Sequence, residues 1–445
     1  MEKEISGKEA LKEKRKIKIK NQLDLWLFCV LIGAVAGALV WVILKVMSLG
    51  MELIWTWIPG KISMPYYTLI VCTAGGVIIG VFRKIFGDYP EELETVMGKV
   101  KKEKRYDYSH MFIMIIAALL PLLIGSSVGP EAGLTGIIVG LCYWAGENLK
   151  FAKQHTREYS QIGIAVSLSV LFHAPLFGIF EVEEDSEEFL QSESAESPNV
   201  SEKIQPEDSK EGESTKKESS PAVTITKSSK IFIYGIALAA GTGIYAGLSA
   251  LFGAGMSGFP SFDTVEIQRI DYVLMILYMI CGCVLAYFYE TTHAITEKIA
   301  DKIPGIIKET LAGLLLAVPA VMFSGEEQME VLMRDYAGYF SIVLIAIAFL
   351  KVLLTNVCIQ FGLKGGHFFP VIFAGVCMGY GVAMLCFGKD GSHVVFAAAI
   401  VTATLLGGIM KKPLAVTMLL FLCFPVKMFL WIFIAAAVGS KCSKK

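Results

Sequence analysis

Charge is scarce in this chain, and what there is lies unevenly. Of its 445 residues 18% are charged and 54% are hydrophobic, and the formal net charge is only −1. So balanced a chain has no field that would collect nucleic acid, and no nucleic-acid partner is expected. The 10 cysteines are scattered mostly within apolar segments and show neither paired nor metal-type spacing. That argues against a disulfide framework and a metal site, and no cofactor is expected. Neither Lys nor Arg occurs between His110 and Lys150. From Glu183 to Lys230 the missing class is the apolar one: the stretch is rich in Ser, Glu and Lys and has almost no aromatics. Such a segment cannot bury enough apolar surface to offset the entropy of ordering it, so residues 186–230 read as a disordered linker.

What fills the rest is apolar sequence. Runs such as "LWLFCVLIGAVAGALVWVILKVM", "YVLMILYMICGCVLAYFY" and "LAVTMLLFLCFPVKMFLWIFIAAAVG" are long enough to cross about 30 Å of hydrocarbon as helix. Others are short or broken by Gly and Pro. In a membrane protein these read as half-helices or re-entrant segments lining a cavity, because irregular backbone cannot face lipid. The fold class is therefore an all-α polytopic membrane protein. The first run exceeds a signal-peptide core and no small-residue cleavage site follows it, so it reads as a true helix. The basic stretch "KEALKEKRKIKIK" and the ending "GSKCSKK" place both termini in the cytoplasm of a cell with the protein in its plasma membrane, which requires an even number of crossings. The expected division is a basic N-terminal segment (1–23), a first membrane repeat (24–185), the linker (186–230), a second membrane repeat (231–440) and a basic tail (441–445).

The two apolar portions echo each other. "GSSVGPEAGLTGIIVG" is followed by "HAPLFGIFEVEE", and "GLKGGHFFPVIFAG" by "KKPLAVTMLLFL": each time a glycine-rich turn opens an apolar segment, and a Pro-Leu step opens another further on. A repeat of this kind suggests two-fold pseudo-symmetry with a site between the halves. A glycine-rich turn that opens a helix leaves unpaired backbone N–H groups with the positive end of the helix dipole behind them, which is an anion site. Glu131 sits in the first of these turns with no basic neighbour. It either complements the dipole of a short helix or acts as a tethered anion that occupies, vacates and takes up a proton at the site. "GGHFFP" alone reads rather as a loop with packed aromatics, a lone His such as His367 is more often packed or solvent-facing, and Glu181, Glu183, Glu184 and Asp185 alone read as the start of the solvated linker.

Together these stretches resemble the chloride channel and chloride/proton antiporter (CLC) family. "GSSVGPEAG" is similar to the family motif GxxxGxEGP, "GGHFFP" to its GxFxP anion motif, "FHAPLFGIFEVEED" to NAPxxGxxFxxEE, and "KKPLAVTMLLFL" to the counterpart of that segment, in matching order over roughly residues 25–440. The resemblance implies inverted repeats with broken and re-entrant helices, a homodimer with one pore per subunit, and anions and protons as the partners in a lipid bilayer. It implies that Glu131 is the gate and proton acceptor. It implies an anion path along Gly129, Gly366, His367, Phe368 and Pro370, with the amides of His367 and Phe368 on the anion. It also implies an internal proton-transfer acid at Asp185 or Glu184, with the count from Pro175 favouring Asp185. Three departures stand out. "FGDYPEE" replaces the family's GSGIPE, so Gly87 stands where an anion-binding serine would be; Pro130, which has no N–H, precedes the glutamate; and no closing tyrosine or nucleotide-binding domain follows.

The expectation is transport of chloride or a similar small anion, exchanged for protons under the control of Glu131. The alternatives are a passive anion channel, a fluoride exporter, and, from other classes, an intramembrane hydrolase using Ser126 or Ser127, or a non-transporting scaffold or receptor. The hydrolase lacks a recognisable catalytic pairing, so the chain is not expected to be an enzyme.

Overall fold

The computed structural model describes residues 2–62, 64–90, 96, 106–148, 156–181, 227–253, 261–262, 265, 267–318, 321–421 and 423–442. Its helices are α1 (Glu2–Glu52), continued through a π turn (Leu53–Trp57) into α2 (Ile58–Lys61), then α3 (Tyr67–Phe86), α4 (Met111–Leu123), α5 (Glu131–Asn148) and α6 (Thr156–Leu171). After a short helical piece at 177–181 come α7 (Lys227–Phe252), α8 (Arg269–Ala300), α9 (Gly305–Leu316), α10 (Glu326–Asp335), α11 (Ser341–Gln360), α12 (Phe368–Phe387), α13 (Val394–Met410), α14 (Pro413–Leu420) and α15 (Phe429–Cys442). Among the described residues, 6 helices are long and apolar enough to cross a membrane, and α4, α5, α6 and α13 are apolar but shorter. The protein is a multi-pass membrane protein.

Helix burial sorts these elements into layers. In the most apolar stretch of α12, 94% of residues are buried, against 17% for α7. A helix that is apolar all round belongs in a protein core, whereas an apolar helix left open at the surface of a membrane protein faces lipid. Leu27, Leu31, Ile78, Phe232, Leu251, Val273, Ile276 and Ile280, on α1, α3, α7 and α8, form part of that outer surface. Glycines allow the closest helix pairs to touch backbone to backbone: a Cβ at Gly33 or Gly37 of α1 would strike the carbonyls of Ala237 or Gly241 on α7, and one at Gly407 of α13 would strike that of Ala436 on α15. Without a hydrophobic drive between helices in lipid, such close dispersion contact is what associates them.

The packing repeats. In the first part α6 lies against α1, α5 and α7, and α5 against α4; in the second, α13 lies against α8, α12 and α15, and α12 against α11. A large contact of α3 with α9 joins the two sets. This pattern corrects the division expected from sequence. Helix α7 follows the linker in the chain but packs on α1 and α6, just as α15 packs on α13. The polar tract therefore interrupts the first repeat rather than separating the two, because a segment with no apolar surface can be inserted at a helix end without disturbing the packing on either side of it. Three boundaries also move: 227–230 already belong to α7, the N-terminal segment is continuous with α1, and α15 runs to Cys442.

Candidate functional site

The site is built where α5 and α12 begin. Their preceding glycine-rich turns run antiparallel, and Gly129 and Gly366 exchange two backbone hydrogen bonds, each N–H donating to the other's carbonyl at 2.7 Å. Reciprocal bonds between corresponding positions are what a two-fold axis between repeats requires. The bridge holds the two helix N-termini face to face, so that unpaired amides and the positive ends of two dipoles share one small volume.

Glu131, the first residue of α5, fills that volume. It is 1% exposed, and its Oε1 accepts a hydrogen bond of 2.8 Å from the Phe368 amide at the start of α12. Its Oε2 has no hydrogen-bond partner among the described residues. A Cβ on Gly129 would collide with Oε2, and one on Gly366 with the carboxyl carbon, so the glycines of both turns provide the space the carboxylate uses. The rings at the start of α12 are packed against the loop before 177: Phe172 stacks on Phe369 at 4.9 Å and meets Phe368 edge-on at 5.6 Å, and Phe177 meets Phe368 at 5.9 Å.

Among the residues singled out in the sequence, Gly129, Glu131, Gly366 and Phe368 thus come together. His367 caps α12, and its ring packs on Phe368 and Tyr289, centroids 4.8 and 5.9 Å away. Pro370 is buried in the first turn of α12, where its missing N–H costs no helical bond. Gly87 lies apart, exposed at the end of α3 with a φ of 101°, and its amide donates to the Arg83 carbonyl at 2.9 Å as a helix cap. It brings neither a hydroxyl nor a free amide. Glu184 and Asp185 lie outside the described residues.

Several polar groups around the site had not been singled out. Arg83 pairs with both Asp88 and the buried Glu309, and Lys364, two residues before Gly366, pairs with Asp88 at 2.8 Å. Burial works against the Asp88 carboxylate, but Lys364 and Arg83 outweigh it and hold its pKa below the ordinary carboxylate value. The cluster borders a cavity of about 610 Å³ lined by Arg83, Lys84, Lys308 and Glu309. Lys351, fully buried on α11, donates to the carbonyls of Val321, Met322 and Phe323 at 3.0, 3.2 and 2.5 Å. Phe323 in turn donates its amide to Gly125, in the turn leading to Glu131, at 2.8 Å. A single Lys within "FSIVLIAIAFLKVLL" is a visible signal, since a charge inside a span is rare unless it has a job. Glu326 is buried at the start of α10, and Glu181, one of the acids read from sequence as the start of the linker, pairs with Lys412 at 2.7 Å with both side chains largely buried.

The sequence pattern described as "Voltage gated chloride channel" matches residues 75–195 and 232–444, most of the chain. The chain belongs to the voltage-gated chloride channel family. Its relatives include "Putative ion-transport protein YfeO" of Escherichia coli (strain SMS-3-5 / SECEC), 21% identical over 377 residues that cover 81% of this chain and 79% of that protein. The protein of the same name from Escherichia fergusonii is equally similar. Among solved structures, a slow cyanobacterial Cl⁻/H⁺ antiporter has a TM-score of 0.69 over 94% of both chains, at 16% identity. A CLC-type fluoride/proton antiporter has 0.66 over 94% of this chain and 95% of its own, also at 16%. These likenesses establish the CLC fold, with its inverted repeats and broken helices, and ion transport as the family's business.

Proposed function

We propose that this protein moves chloride or a similar small anion across the membrane in exchange for protons, with Glu131 as both gate and proton acceptor. One observation carries the reading: the Glu131 carboxylate occupies a site made by the N-termini of α5 and α12 and takes the Phe368 amide that an anion would otherwise use. A carboxylate there competes with the transported anion when charged, and a proton weakens its hold on the amide. The site has helix ends in place of a fully charged cation, which keeps binding weak enough for release. The same reading takes the protein as a homodimer in the plasma membrane with both termini cytoplasmic, on the strength of the family resemblance and the basic ends.

The test is paired anion and proton flux from liposomes. Wild-type protein under a chloride gradient drives protons uphill; Glu131→Gln loses proton movement while anion flux persists or rises. Retained proton transport in Glu131→Gln removes the gate assignment, and chloride flux without proton movement in the wild type makes the protein a passive channel. The two antiporters of like fold differ in anion, so fluoride is compared with chloride in the same vesicles. Faster fluoride than chloride efflux replaces chloride as the substrate.

A further inference from the structure

The two turns that build the site are both held by α11. The second follows that helix directly: beyond its C-terminus Leu363 donates its amide back to the Cys358 carbonyl at 2.8 Å, and Gly366 comes three residues later. The first turn belongs to another part of the chain, yet α11 reaches it twice. Thr355 donates its hydroxyl to the Lys351 carbonyl at 2.8 Å and so accepts from the Ser127 hydroxyl, 3.0 Å away, with both side chains fully buried. One helical turn earlier, Lys351 donates to the carbonyls of Val321, Met322 and Phe323, and the Phe323 amide donates to the Gly125 carbonyl. Gly125 and Ser127 lead straight into Gly129 and Glu131. Three consecutive carbonyls turned to one point need three donors, which a lysine ammonium supplies. The loop that carries them is bent to fit. Phe323 has a φ of 61°, in the left-handed region that a bulky side chain rarely adopts. Such a conformation persists where its surroundings over-determine it. Here Lys351 holds the Phe323 carbonyl, Gly125 its amide, and Trp55 meets its ring edge-on at 5.3 Å. A Cβ on Gly125 would press on Met322 and the Phe323 ring, so loop and turn are fitted closely to each other.

We propose that Lys351 and Thr355 are positioning residues: from one face of α11 they fix the Glu131 turn against the Phe368 turn, and so set both proton coupling and the size of anion the site accepts. They stand four residues apart, which puts them on the same face of the helix. Neither has to touch the anion. The Glu131 carboxylate meets the Phe368 amide at 2.8 Å, and a hydrogen bond weakens steeply once its geometry is lost. A small displacement of the first turn therefore loosens the carboxylate's hold on the site. It also changes the gap between the two helix N-termini, in which an anion must fit. The Gly129–Gly366 bridge joins the turns at one point, and the two ties from α11 fix the direction in which the first turn approaches it.

This inference rests on the proton-exchange reading above, and its test keeps the two apart. Chloride, fluoride and proton fluxes are measured in liposomes holding wild type, Lys351→Met or Thr355→Val, with folding checked by size exclusion and thermal unfolding. Protons carried per chloride are expected to fall about tenfold in Lys351→Met, the weight of one lost charge-assisted hydrogen bond, and several-fold in Thr355→Val. The ratio of fluoride to chloride flux should shift in the same direction in both. Thr355→Val keeps a branched side chain and changes no charge, so it decides even where Lys351→Met fails to fold. A shift of either ratio in Thr355→Val supports the positioning role. Both ratios equal to wild type overturn it, whether or not the thermal midpoint falls, and a change confined to Lys351→Met is then the loss of a buried charge. Should wild type itself move no protons, the exchange reading fails while the ratio of the two anions still tests the positioning.

Discussion

At Gly366 the space of one methyl group is taken up by the Glu131 carboxyl. A Cβ there would overlap the Glu131 carboxyl, whereas the bond between the Gly366 and Gly129 backbones would survive. Gly366→Ala is therefore expected to expel the carboxylate from the Phe368 amide. A hydrogen bond to a charged group contributes about 2 kcal/mol, enough to shift occupancy of the site by roughly thirtyfold. Chloride flux should rise and its coupling to protons weaken, as seen by the same liposome assay; a flux and coupling identical to wild type would show that the carboxylate does not compete for this amide. Glu131 and its glycines were legible in the sequence because a lone acid and a run of glycines both break an apolar pattern. Lys351 broke it too, but which carbonyls it serves was not legible, since they come from a loop far along the chain. Glu326 gave no signal, because an acid at the start of a short polar helix looks like an ordinary solvated one.

At the scale of elements, the tie from the end of α3 to the turn before α12 runs through Asp88, held by Arg83 and Lys364. Asp88 is 58% exposed, so its contribution after solvent screening is below about 1 kcal/mol. Its folded-state pKa is depressed, so the stabilisation is present above the unfolded carboxylate value, about 3.9, and is lost as pH falls through the folded value. Asp88→Asn should accordingly lower the thermal midpoint of the detergent-solubilised protein slightly at pH 7, with the difference shrinking below pH of about 4. A gap that stays constant down to that pH would show that charge is not what Asp88 contributes. The lengths of the helices followed from their apolar runs. Where they stop did not, as at α3, whose end is a glycine cap that composition does not distinguish from an anion-binding turn.

For the molecule as a whole, Glu181 and Lys412 join the repeats. Glu181 ends the described part of the first repeat's Pro-Leu segment, and Lys412 caps α14, which opens the corresponding segment of the second. Their side chains are 7% and 13% exposed. Removing one partner of this largely buried pair takes away a charge-assisted hydrogen bond, about 1.5–3 kcal/mol. Glu181→Gln and Lys412→Met should each destabilise the protein by about that much, and the double variant should lose less than the two single losses together. A double-mutant cycle on thermal or denaturant unfolding measures the coupling; additive losses would mean that the two residues act separately. Glu181 was visible as one of several acids before the linker, yet only its partner across the repeat, Lys412, marks it out.

By itself the sequence determined that this chain is a polytopic helical membrane protein with a polar insertion, and it pointed to two glycine-rich turns, one bearing Glu131, as its candidate site. These are consequences of local composition and spacing: apolar length sets spans, absent apolar surface sets the linker, and Gly with a lone acid marks a backbone-built site. The tertiary structure alone decided that the linker lies inside the first repeat, that the Gly129 and Gly366 turns clasp each other, and that the Glu131 carboxylate reaches the Phe368 amide. Each of these joins residues far apart along the chain, and such contacts are set by which helix faces pack together, a property that no single stretch of sequence carries.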